Sequence, residues 1–234
     1  LDGKLIDFKY HHLSSTNQTF LDKEFEENTK KITNLKNYKN NLKNLNLIID
    51  QSLRKDFIKQ EIQKISNRNS LKVDINPLLL EEVTNLVEQP NIILCKFDKK
   101  FLKIPREILI ITMQNHQKYF HALDNKGNIS NQFFVVANNK DLKGFIKSGN
   151  ERVIEARLSD AEFFWNKNKN QNLLKQMSKL KNMNFFKGLG TYFDKTQRMR
   201  KLGGFVSDQL LISKDKIEIS CSICKVDLVS DLVG

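Results

Sequence analysis

The chain has 234 residues, 39% of them hydrophobic, with 39 Lys and Arg against 27 Asp and Glu and a formal net charge of +12. That length buries a core as one large domain or two ordinary ones, and nine Gly with three Pro argue against a loop-rich β-sandwich and for long helices with some strands. Three cysteines are too few for a disulfide framework, and no apolar run long enough to span a membrane and no secretory leader is present, so a reducing cytoplasm fits.

Residues 1–25 alternate weakly through Leu5, Phe8, Tyr10, Leu13 and Phe20, which predicts strands and loops. From Asn34 to Ile65 the pattern is helical. Leu35, Tyr38, Leu42 and Leu45 form one stripe, and Ile48, Ile49, Leu53, Phe57, Ile58, Ile62 and Ile65 form a second, with SNRNS marking the break. Asn76 and Pro77 predict the start of a helix that runs to Gln89-Pro90, because Asn accepts from free amides and Pro has no N–H to waste in the first turn. NIILCKF reads as a short buried strand, and Pro105 opens the helix REILIITMQ. HQKYFHALD and NQFFVVANN read as a hairpin turning through DNKG, with Gly127 in a left-handed position.

GNERVIEARLSDAEFFW, residues 149–165, places Ile154, Leu158, Ala161 and Trp165 on one helical stripe, with Phe163 and Ala156 opposite. This predicts a helix packed on two sides. Arg157 and Asp160, three apart on a partly buried border, are expected to form a structural ion pair. Asn150 or Ser148 is expected to cap the helix, and Arg152 points outward near its start. NKNKNQN then reads as a linker or exposed helix start, and the remainder as purely helical. The chain divides near residue 170 into an α+β part, 1–170, and an all-helical part, 171–234. It has no initiator Met, and SDLVG closes it inside a helical pattern, so both ends read as cut from something longer.

The charge attracts phosphate polyanions, of which nucleic acid is the commonest, although Lys and Asn fill solvated faces throughout. There is no Gly-rich phosphate loop, no G-x-S-x-G elbow and no H-E-x-x-H. Gly188 and Gly190 in GLGTYFDKT predict a tight turn with Thr191 or a nearby residue capping the next helix, and CSIC lacks a second pair for zinc, which leaves Cys221 and Cys224 as small core-facing helix residues. His116 and His121, an odd separation apart, are expected on opposite faces of the first hairpin strand. No catalytic constellation and no metal site is expected.

Several long motifs in order carry a resemblance. GNERVIEARLSDAEFFW, the TM-x-x-HQ-x-YF core at Thr112 to Phe120, FFVVANN, LGTYFDKTQRMRKL and CKVDLVSDLVG together resemble the β subunit of bacterial glycyl-tRNA synthetase, the α2β2 type, across nearly the whole chain. One departure stands out. The family's Gly-His-Arg-Phe element is replaced by Asn17-Gln18-Thr19-Phe20, so no RNA contact is carried over there. The resemblance implies that residues 1–170 form an editing-type domain like that of phenylalanyl-tRNA synthetase β chains, and that 171–234 begin an HD-like helical domain without an HD dyad.

It implies a component of glycine–tRNA ligase that binds and positions tRNA(Gly), with no catalytic residue and no cofactor of its own. ATP and Mg²⁺ would serve the complete enzyme at the α-subunit site. The implied partners are the α subunit, tRNA(Gly) and a second β subunit, in the cytoplasm. Candidate RNA contacts are His116, Gln117, Lys118, Tyr119 and Arg152, by phosphate gripping or base stacking. The rival readings are a stand-alone editing-like or HD-type hydrolase, and a purely structural module.

Overall fold

The computed structural model of the chain describes residues 6–20 and 29–230, and for Phe20, Thr29, Leu173 and Leu174 it describes the backbone alone. Leu5 and residues 21–25 of the expected N-terminal strand region, and 231–234 of the expected last helix, lie outside the described residues. The architecture is mixed helix and strand, an α+β arrangement whose named sheets are antiparallel. The chain separates into two compact units, Leu1–Leu102 with Met113–Ile154, and Lys103–Thr112 with Glu155–Gly234. The division falls inside a helix rather than at the change of composition near residue 170.

The first unit begins with two short ladders, β1 (Lys9–Tyr10) with β2 (Leu13–Ser14), and β3 (Gln18–Phe20) with β4 (Thr29–Lys31). Helices α1 (Leu35–Asn44) and α2 (Gln51–Arg68) follow the two predicted stripes. The expected break at SNRNS comes late, since α2 runs on through Arg68. Between them the chain breaks because Asp50 turns out of the helix and accepts the Leu53 amide at 2.9 Å. Helix α3 (Pro77–Leu86) starts as its sequence dictates: Asn76 accepts from Leu78 N at 2.9 Å and Leu79 N at 3.3 Å, with Pro77 in the first turn. Arg54 on α2 donates to the Thr84 carbonyl at 2.8 Å, fastening α2 to α3.

Strands β5 (Asn91–Lys96), β6 (Phe120–Leu123) and β7 (Ile129–Ala137) form one sheet with β7 in the middle. The predicted hairpin is present, and Gly127 takes φ +84° in its turn. The Asp124 carboxylate accepts from Lys126 N and Asn128 N at 2.9 and 2.8 Å, and these hydrogen bonds hold it below the usual carboxylate range. Ile58, Ile62, Leu79, Leu80 and Val83 of α2 and α3 pack with Phe120, Ala122 and Phe134 of the sheet into the buried core of this unit.

Helix α5 (Phe145–Lys169) begins four residues before the quoted motif. Neither Ser148 nor Asn150 caps it. Asp141 does so from upstream, accepting from Ile146 N at 3.0 Å and Lys147 N at 2.8 Å, so the free first-turn donors are met before Ser148 is reached. Ile154, Leu158 and Ala161 are buried as the stripe predicts and Trp165 is half-buried, but Phe163 is 63% exposed and Ala156 is exposed. The helix therefore buries one stripe and not two sides. Asn166 to Lys169 continue it, so NKNKNQN is in large part helix and not a linker.

The second unit is not purely helical. It holds α4 (Arg106–Ile111), and farther along the chain α6 (Leu173–Gln176) and a 3-10 turn over Met177–Asn182 lead into a small hairpin, β8 (Asn184–Phe186) with β9 (Gly190–Thr191). Thr191 and Asp194 then form a reciprocal capping box at the start of α7 (Tyr192–Leu210). Helix α8 (Lys214–Ile223) packs on α7, pinned by Arg200 to Glu218 at 2.8 Å. Gly203 lets the two helices close: a β-carbon there would lie 2.6 Å from Ile217 Cγ2 and 3.0 Å from Cys221 Sγ. Cys221 is half-buried where the helices meet, whereas Cys224 lies past the end of α8 and is exposed rather than core-facing.

Gly203→Val is expected to force α7 and α8 apart and to cost ~1–3 kcal/mol, as overpacking generally does. Urea unfolding followed by circular dichroism checks this. An unchanged midpoint would show that the two helices do not depend on close approach at Gly203.

Candidate nucleic-acid interface

The segment after α4 does not run straight into β6. It widens into a π-helical turn over Thr112–His116, and Lys118 then takes φ +59° before the strand begins. A π turn inserts an extra residue into the helical ladder and is frequent at functional sites. The left-handed backbone at a non-glycine residue costs roughly 1–2 kcal/mol and needs support. Lys118 Nζ meets Glu82 Oε1 of α3 at 2.8 Å, and the Tyr119 amide donates to the Met113 carbonyl at 2.9 Å.

Tyr119 anchors the segment. Its ring stacks on Phe133 of β7 with centroids 4.9 Å apart, and its hydroxyl donates to Asn150 Oδ1 of α5 at 2.6 Å. Asn150 in turn donates to the Ile146 carbonyl at 2.7 Å, and Glu151 accepts from Lys96 N of β5 at 2.9 Å. Gln114 Nε2 lies 3.0 Å from His121 Nδ1. The early start of α5 frees Asn150 and Glu151 from capping and lets them tie the helix to the sheet. Sequence periodicity did not single out either residue for that task. The one available signal was Asp141, an acidic residue just upstream of Gly144.

Of the five candidate RNA contacts, His116 and Arg152 are exposed, and Gln117 is half-buried. Lys118 is half-buried and engaged by Glu82, and Tyr119 is 4% exposed. Tyr119 therefore has no face for a base, because its ring and hydroxyl are already committed. His116 belongs to the π turn and not to β6, so strand parity with His121 does not apply. His121 is on β6 and buried. Arg157 and Asp160 are both exposed and are not among the ion pairs of the described residues. In water such a pair gains little Coulomb energy and loses side-chain entropy, so helical spacing alone does not close it.

Burial pushes the Cys95 thiol up to about 12, with the Glu151 charge adding to the effect, and likewise pushes the Tyr119 phenol up to about 12. Both groups are held neutral. Among the described residues no group of three or more His, Cys, Asp or Glu is placed to hold a metal ion. None of the described helices is long and apolar enough to cross a membrane.

The surface so described exposes His116 on the π turn and Arg152 on α5, and among the described residues no assembled acid–base or nucleophilic set accompanies them. A family model described as glycyl-tRNA synthetase beta subunit matches residues 1–234. The chain belongs to that family. The glycine–tRNA ligase beta subunit of Thermodesulfovibrio yellowstonii is 35% identical over 235 residues, covering 100% of this chain and 35% of the relative. That of Syntrophomonas wolfei is 35% identical, with 98% and 34% covered, and that of Stutzerimonas stutzeri is 38% identical, with 84% and 29% covered. The chain thus spans about a third of the length of the curated family members it matches.

Thiol labelling tests the buried half of this site. At pH 8 Cys224 is expected to react in the folded family member, whereas Cys95 reacts only after urea is added. The neutral states also set a pH dependence. In the unfolded chain the thiol and phenol ionise near 9.0 and 10.0, and in the folded chain near 12. Their contribution is fully present below pH 9 and is lost as pH rises toward 12. Urea midpoints are expected to fall over that window, and Cys95→Ala is expected to flatten the fall.

Proposed function

We propose that this chain is part of the β subunit of a glycine–tRNA ligase, and that it binds and positions tRNA(Gly) for ATP-dependent glycylation at an active site on the α subunit. The family match over residues 1–234 carries this reading. The net charge of +12 and the exposed His116 and Arg152 support the RNA role. Holding the acceptor end near the partner's site raises its effective concentration, which accelerates transfer without any catalytic group here.

The complete enzyme would use ATP and Mg²⁺. The described residues of this chain include neither a Gly-rich phosphate loop nor a metal-holding carboxylate cluster, so no Mg²⁺–triphosphate site is assigned to them. The partners would be the α subunit and a second β subunit in an α2β2 tetramer in the cytoplasm. In the same reading, residues 1–170 correspond to an editing-type domain and 171–234 to the start of an HD-like domain.

Co-purification of the full-length chain with its α partner, followed by glycine charging with and without it, tests the proposal. Charging that needs both chains is expected, and full charging by α alone would overturn it. Arg152→Gln is expected to weaken tRNA binding a few-fold and to reduce the salt slope by about 1, as removing one cation from a phosphate does. His116→Ala is expected to weaken binding with a smaller change in slope. Fluorescence anisotropy across a salt series reads both.

A further inference from the structure

Away from the π turn, the first unit has an open cleft between the end of α1, the flank of α2 and the segments around β5 and β7. Its volume is about 460 Å³, within the ~300–1,000 Å³ of small-ligand sites. One wall is apolar and made by Leu47, Pro90 and the ring of Phe57, which is 38% exposed. Lys43 and Lys140 line it as well, both are exposed, and neither is among the ion pairs of the described residues. Asn91 donates one of its two amide hydrogens to the Asn139 carbonyl at 3.1 Å.

We infer that this cleft binds a nucleotide, the base stacked on Phe57 and the phosphate held by Lys43 and Lys140. The inference rests on the RNA-binding reading and adds a site to it. An accessible aromatic ring beside two uncommitted ammonium groups matches the two invariant parts of a nucleotide, a π face and an anion. Lys43 alone has a simpler role, since it stands in the last turn of α1 and offsets that helix's negative end. Lys140 follows β7, at no helix C-terminus, and Phe57 keeps 38% of its surface open beside it. No carboxylate is among the cleft's lining residues. An acidic peptide would satisfy the lysines but would leave the ring without a flat partner.

The nucleotide could come from a single-stranded stretch of RNA or be free in solution. Binding of full-length protein to a labelled single-stranded RNA oligonucleotide, to tRNA and to AMP separates these sources. Phe57→Leu is expected to weaken oligonucleotide binding about 5-fold or more with the salt slope unchanged, since stacking carries no counterion release. Phe57→Tyr restores it. Lys43→Gln with Lys140→Gln is expected to reduce the slope by about 0.7 for each phosphate that is no longer neutralised.

If AMP binding alone responds to Phe57→Leu, the ligand is a free nucleotide and the cleft stands. If variants with native circular dichroism bind oligonucleotide and AMP as the unaltered protein does, the cleft assignment is overturned, and so is it if an acidic peptide is the only ligand that responds. Failure of the unaltered protein to bind tRNA at low salt would instead sink the RNA reading itself, so the two failures are distinguishable.

Discussion

Strand β7 places Phe133 and Phe134, both fully buried, on opposite faces of a three-stranded sheet. Neither face can be left to water, and burying two phenyl rings is worth several kcal/mol at roughly 25 cal/mol per Å². The architecture of the first unit follows from that requirement. Phe134 pairs across the sheet with Phe120 and packs into the core that α2 and α3 cover. Phe133 faces the other way, with Cys95 opposite it on β5 and the Tyr119 ring stacked on it. The chain between α4 and β6 must deliver Tyr119 to that spot, and the π turn and the left-handed Lys118 are how it gets there.

The candidate interface thus depends on a packing demand one layer below it. Tyr119 fills its place and bonds to Asn150, and Glu151 receives a backbone amide of β5. The exposed side chains, His116 on the turn and Arg152 beside Glu151 on α5, are carried by residues that cannot shift freely. Preorganisation of this kind lets a few surface groups bind without first giving up conformational freedom.

Much of this was legible in local sequence. Asn76-Pro77 announced α3, and DNKG announced the hairpin. Thr191 announced α7, because each of these signals acts through backbone groups only a few residues away; its partner Asp194 in the capping box was not singled out. The stripe Ile154–Leu158–Ala161 was legible too, since helical period needs no partner. The start of α5 was not, because Asp141 reaches its amides from outside the usual cap position. Exposure of Phe163 and the open Arg157–Asp160 spacing depend on what covers a helix, which periodicity does not encode. The nucleotide cleft was the least legible. Lys43, Phe57, Pro90 and Lys140 come from four separated stretches, and only the folded chain makes them neighbours. The resemblance to the synthetase family was read from long collinear motifs, a kind of information that composition and spacing do not contain.

The Lys118–Glu82 pair has a further meaning. Both side chains are roughly two-fifths exposed, so the bond between them is open to screening by dissolved ions. Such a pair contributes at most about 1 kcal/mol, close to the ~1–2 kcal/mol that a left-handed residue other than glycine gives up. In dilute buffer the two nearly cancel. In concentrated salt that pair is screened, and the turn is held by the Lys118 amide on the Gln114 carbonyl at 3.2 Å, the Tyr119 amide on the Met113 carbonyl at 2.9 Å and the buried Tyr119 ring. Ionic strength therefore acts on this surface twice, on the Lys118–Glu82 pair and on the attraction for phosphate, while the packed ring beneath is indifferent to it.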